Sequence, residues 1–365
     1  MDKKKICFFS GDITRDGGTE RVATMIANAL AAEGVFEIVF LSLTEQGDQP
    51  FFPLRNDIQR FVCGKKWIRP GLGYLGVVPK VRRFLRQQKI DVLIDIDIVL
   101  DSLSLPASYG MPVKVLSWEH FNYEYENSSW YRRLILNYSA KRSDYIVTLT
   151  EGDKKAYADK LGRKERISTI YNPTMKNSNM EPGEKENWLI TVGHLTKLKG
   201  MDLLAKTACT VLTRNPEWKW LIVGDGEERP FLERFIEQHG LENRLILAGK
   251  AHDVSQYLRR AQVYVLTSRL EGFGMSMLEA KEFSLPIVGF DVPTGPNEIV
   301  SHSVNGLLIP PFDCDAMAAA LESLIQDDDL RRSYSRHAYD DIEKFQMEKI
   351  LSEWNTVLTS LTTTS

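Results

Sequence analysis

Two glutamates flank a glycine-rich segment in the run SRLEGFGMSMLEA, residues 268–280. Glu271 and Glu279 stand on either side of Gly-Phe-Gly, where the pattern predicts that a helix begins after a strand. The unpaired N–H groups at the start of a helix favour an anion, whereas carboxylates accept hydrogen bonds from vicinal hydroxyls. The combination predicts a ligand with a phosphate part and a polyol part, such as a nucleotide sugar. The spacing of the two acids alone is also typical of an acid-capped helix with a second, solvated glutamate.

A second segment, VGHLTKLKG at 192–200, repeats the arrangement of a strand followed by a helix entrance. His194 and Lys199 supply positive charge there that could neutralise a diphosphate, although a lysine in such a place is often only solvated. Gly17 and Gly18 lie between the first predicted strand and the first predicted helix. They form either a third loop that approaches a phosphate or a plain turn.

Strand and helix patterns alternate on both sides of a polar, proline-containing segment. Buried-strand patterns such as KKICFFS and WLITVG alternate with amphipathic helix patterns, which predicts an α/β fold of parallel sheets covered by helices. We therefore predict a domain at 1–172, a linker at 173–187, a second domain at 188–340 and a final helical segment at 341–365. Such folds bind ligands at the carboxyl ends of their strands, here in a predicted cleft between the two domains.

The composition is that of a soluble globular protein, with 43% hydrophobic and 26% charged residues among 365. The four cysteines are scattered and form no metal-like spacing, which favours a reducing compartment. The first apolar run is too short for a signal peptide, and no stretch approaches the ~18 apolar residues of a membrane span. The sequence therefore predicts a cytoplasmic protein.

Basic residues cluster in the segment 58–90, which contains nine Lys or Arg and no acid although the net charge of the chain is −3. This imbalance favours an anionic partner, and anionic lipid headgroups attract such segments. The residues predicted to form this membrane or acceptor surface are Lys65, Lys66, Trp67, Arg69, Arg82, Arg83 and Arg86.

The motifs GGTER, VGHL…KG, IVGDGEER and SRLEGFGMSMLEA…PIVGFD…GPNEIV…NGLLI occur in this order. Together they resemble the retaining GT-B glycosyltransferases of family four, also called glycosyltransferase group 1. The resemblance spans nearly the whole chain and is most specific over 188–310. It implies two Rossmann-like doubly wound domains that face a cleft, with a C-terminal helix that crosses back to the N-terminal, acceptor-side domain.

The resemblance also implies a role for each matching residue around the glycine-rich segment. Glu271 is expected to contact hydroxyls of the donor sugar, and Glu279 to hold the ribose hydroxyls. The backbone amides of Phe273, Gly274 and Met275 are expected to meet the diphosphate and the sugar.

Other matching residues surround the same expected donor. Lys199 matches the family's phosphate lysine, whereas His194 stands where the family usually has arginine and lacks its bidentate guanidinium. Gly17 and Gly18 match the loop that closes on the donor. His120 resembles the family histidine near the reacting sugar, or is a hydrogen-bonded histidine at a strand end. The base-side pocket is expected near Gly224, Asp225 and Lys250.

The implied activity is retaining transfer of a sugar from a nucleotide-diphosphate sugar, predicted to be a UDP-sugar, with Glu271, His120 and Lys199 as catalytic residues. The predicted acceptor is a polyprenyl-diphosphate-linked saccharide in polysaccharide biosynthesis, at the inner face of the plasma membrane. No cofactor, metal or nucleic-acid partner is expected. The alternatives are a GT-B nucleotide-sugar epimerase, which needs no acceptor, and a catalytically weak paralogue that binds nucleotide sugar.

Two further segments contain motif-like letters. GLGYLG at 71–76 fits the dinucleotide pattern G-x-G-x-x-G, but a basic stretch that ends in proline precedes it instead of an apolar strand. DIDIVLD at 95–101 contains aspartates that could bind a metal, and it fits a strand with acids at its edge as well.

Overall fold

The computed structural model of the protein describes residues 3–64, 76–174, 184–251 and 253–363. The chain divides into two compact units, the first formed by Met1–Pro173 with Met347–Ser365 and the second by Thr174–Gln346. Each unit contains one sheet of parallel strands.

The sheet of the first unit has seven strands within the described residues, in the order β3-β2-β1-β4-β5-β6-β7. Their bounds are β1 Lys5–Ser10, β2 Glu37–Thr44, β3 Gln59–Gly64, β4 Val92–Asp95, β5 Lys114–Trp118, β6 Tyr145–Thr148 and β7 Ile167–Thr169. The central strands β1 and β4 are apolar and almost entirely buried, as expected for a parallel sheet covered on both faces.

Helices connect these strands. They are Gly18–Glu33, Val78–Gln88, Asp101–Ser108, Tyr123–Glu126, Trp130–Arg142 and Glu151–Leu161, with a 3-10 turn at Ile98–Leu100. The helix Gly18–Glu33 forms because Val22, Ile26 and Leu30 recur every four residues and enter the core together.

The segment DIDIVLD is not one strand, so the interpretation as a strand with acids at its edge is wrong. β4 ends at Asp95, and the Asp97 side chain accepts a hydrogen bond of 2.9 Å from the Val99 amide. This local bond turns the chain into a 3-10 helix, after which Asp101 begins an α-helix.

The helix Met347–Thr363 belongs to the first unit, although the whole second unit precedes it in the sequence. Its buried face includes Trp354, which packs edge-on against Trp118 at the end of β5, with ring centroids 4.7 Å apart. Because large aromatic side chains dominate core energetics, this helix is an integral part of the first unit's core.

The sheet of the second unit has six strands in the described ranges, in the order β10-β9-β8-β11-β12-β13. Their bounds are β8 Trp188–Val192, β9 Lys219–Val223, β10 Leu245–Gly249, β11 Val263–Leu266, β12 Ile287–Phe290 and β13 Gly306–Ile309. Its helices are Met201–Arg214, Arg229–Gln238, Ser255–Leu258, Met275–Glu282, Pro296–Ile299, Cys314–Gln326 and Asp328–Arg336, with 3-10 turns at Lys197–Lys199 and Ile342–Phe345.

The prediction of two Rossmann-like doubly wound α/β domains is confirmed. The strand order reverses between β1 and β4 in one sheet and between β8 and β11 in the other. Such a reversal leaves a crevice at the carboxyl ends of the strands, where these folds bind ligands. No helix in the described part of the chain combines the length and the apolar character needed to cross a bilayer.

Candidate active site

Lys199 and Glu271 meet where the strand order of the second sheet reverses. Lys199 ends the 3-10 turn after β8, and Glu271 lies in the loop after β11. The Lys199 Nζ lies 2.6 Å from Glu271 Oε1. The two motifs that were 72 residues apart in the sequence therefore form one ion pair at the predicted ligand-binding edge.

The carboxylate of Glu271 is buried and held in one orientation. Its side chain is 5% exposed, and the hydroxyl of Ser268 donates to the same Oε1 at 2.6 Å. The main-chain carbonyl of Glu271 accepts a hydrogen bond of 2.7 Å from Thr294 Oγ1. A carboxylate fixed in this way can present hydrogen-bond acceptors to a ligand without first paying the entropy of ordering.

An ion pair between Arg269 and Asp202 joins the segment after β11 to the segment after β8. The guanidinium of Arg269 donates to both carboxylate oxygens of Asp202 at 2.7 Å, and the Arg269 amide donates to the Leu198 carbonyl at 2.8 Å. The Thr267 hydroxyl donates to the Lys199 carbonyl at 3.1 Å. The hydrogen bonds from Arg269 also hold the pKa of Asp202 below its usual value. Sequence reasoning missed this clamp.

The glycine-rich segment forms the entrance of the helix Met275–Glu282. Gly274 precedes the helix with a φ of 97°, and a Cβ there would lie 2.2 Å from the Met277 methyl group. Phe273 is buried with its ring against Phe345, which fixes the loop. The Met277 amide donates to the Gly274 carbonyl at 2.9 Å. The start of a helix in general presents amides that suit an anion.

Glu279 lies partly exposed on the next turn of the same helix. Tyr264, which is buried, donates from its hydroxyl to Ser276 Oγ at 2.7 Å. Burial raises the pKa of Tyr264, and the negative charges of Glu271 and Glu279 raise it further. Both carboxylates thus act on one phenol, which stays protonated and donates hydrogen bonds.

Main-chain contacts join the loops that follow β8, β9 and β10. The Gly224 amide donates to the Gly249 carbonyl at 2.9 Å, and the Leu195 amide donates to the Asp225 carbonyl at 3.0 Å. Gly224 has a φ of 152°, and a Cβ there would lie 1.9 Å from the Gly193 carbonyl oxygen. The three side chains predicted to face the nucleotide along these loops, His194, Asp225 and Lys250, are exposed.

Gly17 and Gly18 lie at the start of the helix Gly18–Glu33 in the first unit. The carboxylate of Glu20 bends back over this turn, so that its Oε2 stands 2.2 Å from where a Cβ of Gly17 would be. Burial raises the pKa of Glu20. A phosphate that approaches Gly17 would meet this carboxyl group.

His120 follows β5 and is buried without a partner for one ring nitrogen. The side chain is 8% exposed, its ring lies 4.3 Å from the Trp118 ring between centroids, and its Nε2 has no hydrogen-bond partner. Burial lowers the pKa of His120 to about 3. The imidazole is therefore neutral, and its unpaired nitrogen is available to a ligand or a water.

Buried acids surround the same edge of the first sheet. Glu119 accepts hydrogen bonds from the Tyr157 hydroxyl at 2.9 Å and from the Phe121 amide at 3.0 Å, and burial raises its pKa well above the usual value. Asp95 and Asp101 are fully buried and accept hydrogen bonds from Ser104 and Ser117, respectively.

Burial likewise raises the pKa of Asp95 and that of Asp101. The aspartates of DIDIVLD therefore have structural partners. Nowhere in the described ranges do three or more His, Cys, Asp or Glu side chains form a group that could hold a metal ion.

The predicted basic surface is only partly described. Lys65, Lys66, Trp67 and Arg69 lie outside the described residues, as does most of GLGYLG. On the helix Val78–Gln88, Arg83 and Arg86 are exposed. Arg82 instead donates to the carbonyls of Ala107 and Tyr109, at 2.9 and 2.7 Å, and so helps to end the neighbouring helix.

Comparison with known proteins decides the family. Residues 175–341 match the family described as "Glycosyl transferases group 1", and residues 16–174 match "Glycosyltransferase Family 4". An uncharacterized glycosyltransferase of Haemophilus influenzae is 31% identical over 97% of this chain and 100% of its own length. The chain belongs to glycosyltransferase family 4.

Two further proteins are similar to this chain over nearly their whole length. A Campylobacter jejuni enzyme, the GalNAc-alpha-(1->4)-GalNAc-alpha-(1->3)-diNAcBac-PP-undecaprenol alpha-1,4-N-acetyl-D-galactosaminyltransferase, is 25% identical, over 96% of this chain and 97% of its own. Anabaena HepE, solved in complex with UDP, has the same fold, with a TM-score of 0.81 and 20% identity over 98% of this chain and 100% of that one. The resemblance read from the motifs is thereby confirmed, and the glycosyltransferase is an enzyme of the sugar-transferring class.

Proposed function

We propose that this glycosyltransferase moves a sugar from a UDP-sugar to a hydroxyl of a lipid-linked saccharide in bacterial polysaccharide biosynthesis, with retention of anomeric configuration. The observation that carries the proposal is the Lys199–Glu271 pair, fixed at 2.6 Å at the switch point of the second sheet and beside the entrance of the helix Met275–Glu282.

The proposed reaction needs positive charge more than it needs a nucleophile. The bond between the anomeric carbon and the diphosphate oxygen breaks, and the acceptor oxygen bonds to the same face of that carbon. The acceptor proton passes to the departing phosphate oxygen. Lys199 and the amides at the start of the helix Met275–Glu282 would stabilise the charge that develops on the diphosphate. Because Glu271 Oε1 is bound by Lys199 and Ser268, this carboxylate is suited to accept sugar hydroxyls rather than to attack carbon.

The nucleotide and the acceptor are the finer parts of the proposal. The UDP donor is supported by the likeness in fold to HepE, which was solved with UDP. The lipid-linked acceptor is supported by the undecaprenol diphosphate in the name of the Campylobacter enzyme. Such an acceptor would bring the enzyme to the inner face of the plasma membrane. We also propose that no metal is required, since Lys199 supplies the cation.

The test is transfer by the purified full chain from labelled nucleotide sugars to a synthetic polyprenyl-diphosphate saccharide in detergent and excess chelator. We expect a lengthened, lipid-linked product from a UDP-sugar, with the donor's anomeric configuration in its NMR spectrum. An inverted product would refute retention, and loss of activity in chelator would refute metal independence. Release of an epimerised sugar without acceptor would establish the epimerase alternative, whereas donor binding without any turnover would identify a weak paralogue.

A further inference from the structure

The helix Trp130–Arg142 of the first unit exposes large apolar side chains. Trp130, Leu134 and Tyr138 are 70%, 60% and 39% exposed. They recur every four residues and therefore lie along one side of the helix. Single exposed apolar residues are ordinary on protein surfaces, whereas a row of three on one helix indicates a contact surface.

The core does not need these side chains. The same helix buries a different set, Ile135, Leu136, Ser139 and Ala140, which point to the opposite side at 100° per residue. The helix is thus apolar on two opposite sides, one of which packs on the fold and the other of which faces solvent.

The exposed side also contains positive charge without acids. Arg133, Lys141 and Arg142 are exposed, and the helix contains no Asp or Glu. None of the three forms an ion pair with the described residues. The remaining cation, Arg132, is used internally, because it pairs with Glu126 and lies over the Tyr125 ring.

Neighbouring helices of the first unit also expose basic and aromatic side chains. The helix Asp101–Ser108 packs against both Trp130–Arg142 and Val78–Gln88. Tyr109, which follows it, is 81% exposed, and Val78–Gln88 exposes Arg83 and Arg86. Three adjacent helices therefore combine aromatic rings with unpaired cations.

We propose that the outward side of the helix Trp130–Arg142 docks on an anionic phospholipid bilayer. The headgroup boundary offers phosphates to Lys and Arg and, just below, hydrocarbon to Trp and Leu, which is the chemistry this surface can satisfy. A second copy of the chain fits it less well, because a twofold contact would bring the unpaired cations of two identical helices together. The inference deepens the proposed function, since it rests on the lipid-linked acceptor for its purpose.

Cosedimentation of the full chain with vesicles tests the proposal. We expect binding to phosphatidylcholine vesicles that contain phosphatidylglycerol, weaker binding without it, and loss of binding in high salt. Trp130→Ser with Leu134→Ser should lower the partition coefficient about tenfold or more. Arg133→Gln, Lys141→Gln and Arg142→Gln together should lower it about fivefold for each charge removed. Thermal unfolding of each variant shows whether it remains folded.

Matched controls remove similar groups elsewhere. Val35→Ser with Phe51→Ser removes exposed apolar side chains from the same unit, and Lys206→Gln with Lys219→Gln removes exposed lysines from the other. Both controls should bind vesicles as the wild type does. Equal losses in controls and helix variants would overturn the proposal, as would wild-type protein that stays in solution with both kinds of vesicle.

Quenching of tryptophan emission by brominated lipid locates the contact. Trp130→Phe should keep vesicle binding and lose most of the quenching. If quenching persists in this variant and disappears in Trp67→Phe, the basic segment 58–90 meets the bilayer instead, and the inference is wrong. A dimer that Trp130→Ser and Leu134→Ser convert to a monomer, without vesicle binding, would show that a second copy covers the helix.

Activity separates this inference from the proposed function. In detergent, where no bilayer is needed, the helix variants should transfer sugar at the wild-type rate. Vesicle binding that depends on the helix, in a protein that transfers no sugar to any lipid-linked acceptor, would refute the proposed function and leave the inference standing.

Discussion

The two sheets end differently at their carboxyl edges. In the second unit, the loops after β8, β9 and β10 are joined by main-chain hydrogen bonds, and one ion pair, Lys199–Glu271, connects the loops after β8 and β11. In the first unit, the residues that end or follow β4 and β5 are buried ionisable side chains, among them Asp95, Glu119 and His120. Burial disfavours the charged form of each of these three.

The difference matches two tasks in the proposed reaction, which are binding of the donor diphosphate and recognition of a sugar hydroxyl. Main-chain amides and the ammonium of Lys199 bind phosphate in the same way whatever sugar the donor carries, so they depend on backbone shape. Buried side chains at a low-dielectric edge recognise a hydroxyl by hydrogen bonds and shape, and they discriminate strongly because an unpaired polar group there is costly. Four predictions can break or sharpen this contrast.

The largest effect is expected at the ion pair. Lys199→Met should lower kcat on the order of 100–1,000-fold, because it removes a preorganised charge from the leaving diphosphate. Lys197→Met, an exposed lysine of the same 3-10 turn, is the matched control and should retain wild-type kcat. Steady-state rates with saturating donor measure both, and a Lys199→Met enzyme with more than about a tenth of wild-type kcat would contradict the role.

A smaller effect is expected from the stacked loops. Gly224→Ala places a Cβ 1.9 Å from the Gly193 carbonyl at a φ of 152°, so it should destabilise the second unit by about 2–5 kcal/mol. Gly18→Ala meets no atom within 4 Å and should leave stability nearly unchanged. Thermal unfolding of the two variants compares the carboxyl edge of the second sheet, which contains Gly224, with that of the first, which Gly18 follows. Equal stability would mean that the loops after β8 and β9 rearrange at little cost.

The two glutamates should divide the donor between them. Glu279→Ala should weaken binding of UDP itself by roughly 10–100-fold, because hydrogen bonds from ribose hydroxyls to a carboxylate are charge-assisted. Glu271→Ala should spare UDP and lower turnover of the UDP-sugar. Calorimetry with both ligands decides the matter, and equal losses of UDP affinity in the two variants would refute the division.

The first unit should be sensitive to acid through His120. Its pKa is about 3 in the folded protein and ~6.5 in an unfolded chain, so between these values only the unfolded state binds the proton. Stability should therefore fall as pH drops from about 6.5 towards 4, by up to about 1.4 kcal/mol per pH unit from this group. When the free energy of unfolding of His120→Asn is measured with denaturant at several pH values, it should lack this part of the pH dependence. The difference between variant and wild type isolates it from the buried acids, whose raised pKa values act in the opposite direction.

The fold could be predicted from the sequence because its signals are local. Apolar runs, helical periodicity and turns such as Gly34 mark each element within a few residues, and the glycine-rich motifs mark strand ends. The sequence placed Lys199 and Glu271 beside the same expected donor, but it did not predict the ion pair between them.

The contacts that fix the site could not be predicted. Arg269 and Asp202 are 67 residues apart, and nothing in either neighbourhood indicates a partner. The same holds for Thr294 and Glu271. The acids of DIDIVLD fitted either a metal site or the edge of a strand. In the structure two of them, Asp95 and Asp101, are buried and accept hydrogen bonds from serines. Side-chain contacts across the fold depend on the exact distances between elements, which a pattern of residue types does not contain.

The packing of Trp354 against Trp118 also sets an order of events during synthesis. The strands of the first unit leave the ribosome early. One face of their core stays unpacked until the helix Met347–Thr363 has been made. At about 5–20 residues per second, synthesis of the second unit, Thr174–Gln346, takes roughly 9–35 s, and that helix is made only afterwards. The N-terminal half of the protein is therefore the last to be completed, and its apolar surface is what a chaperone would meet on the nascent chain.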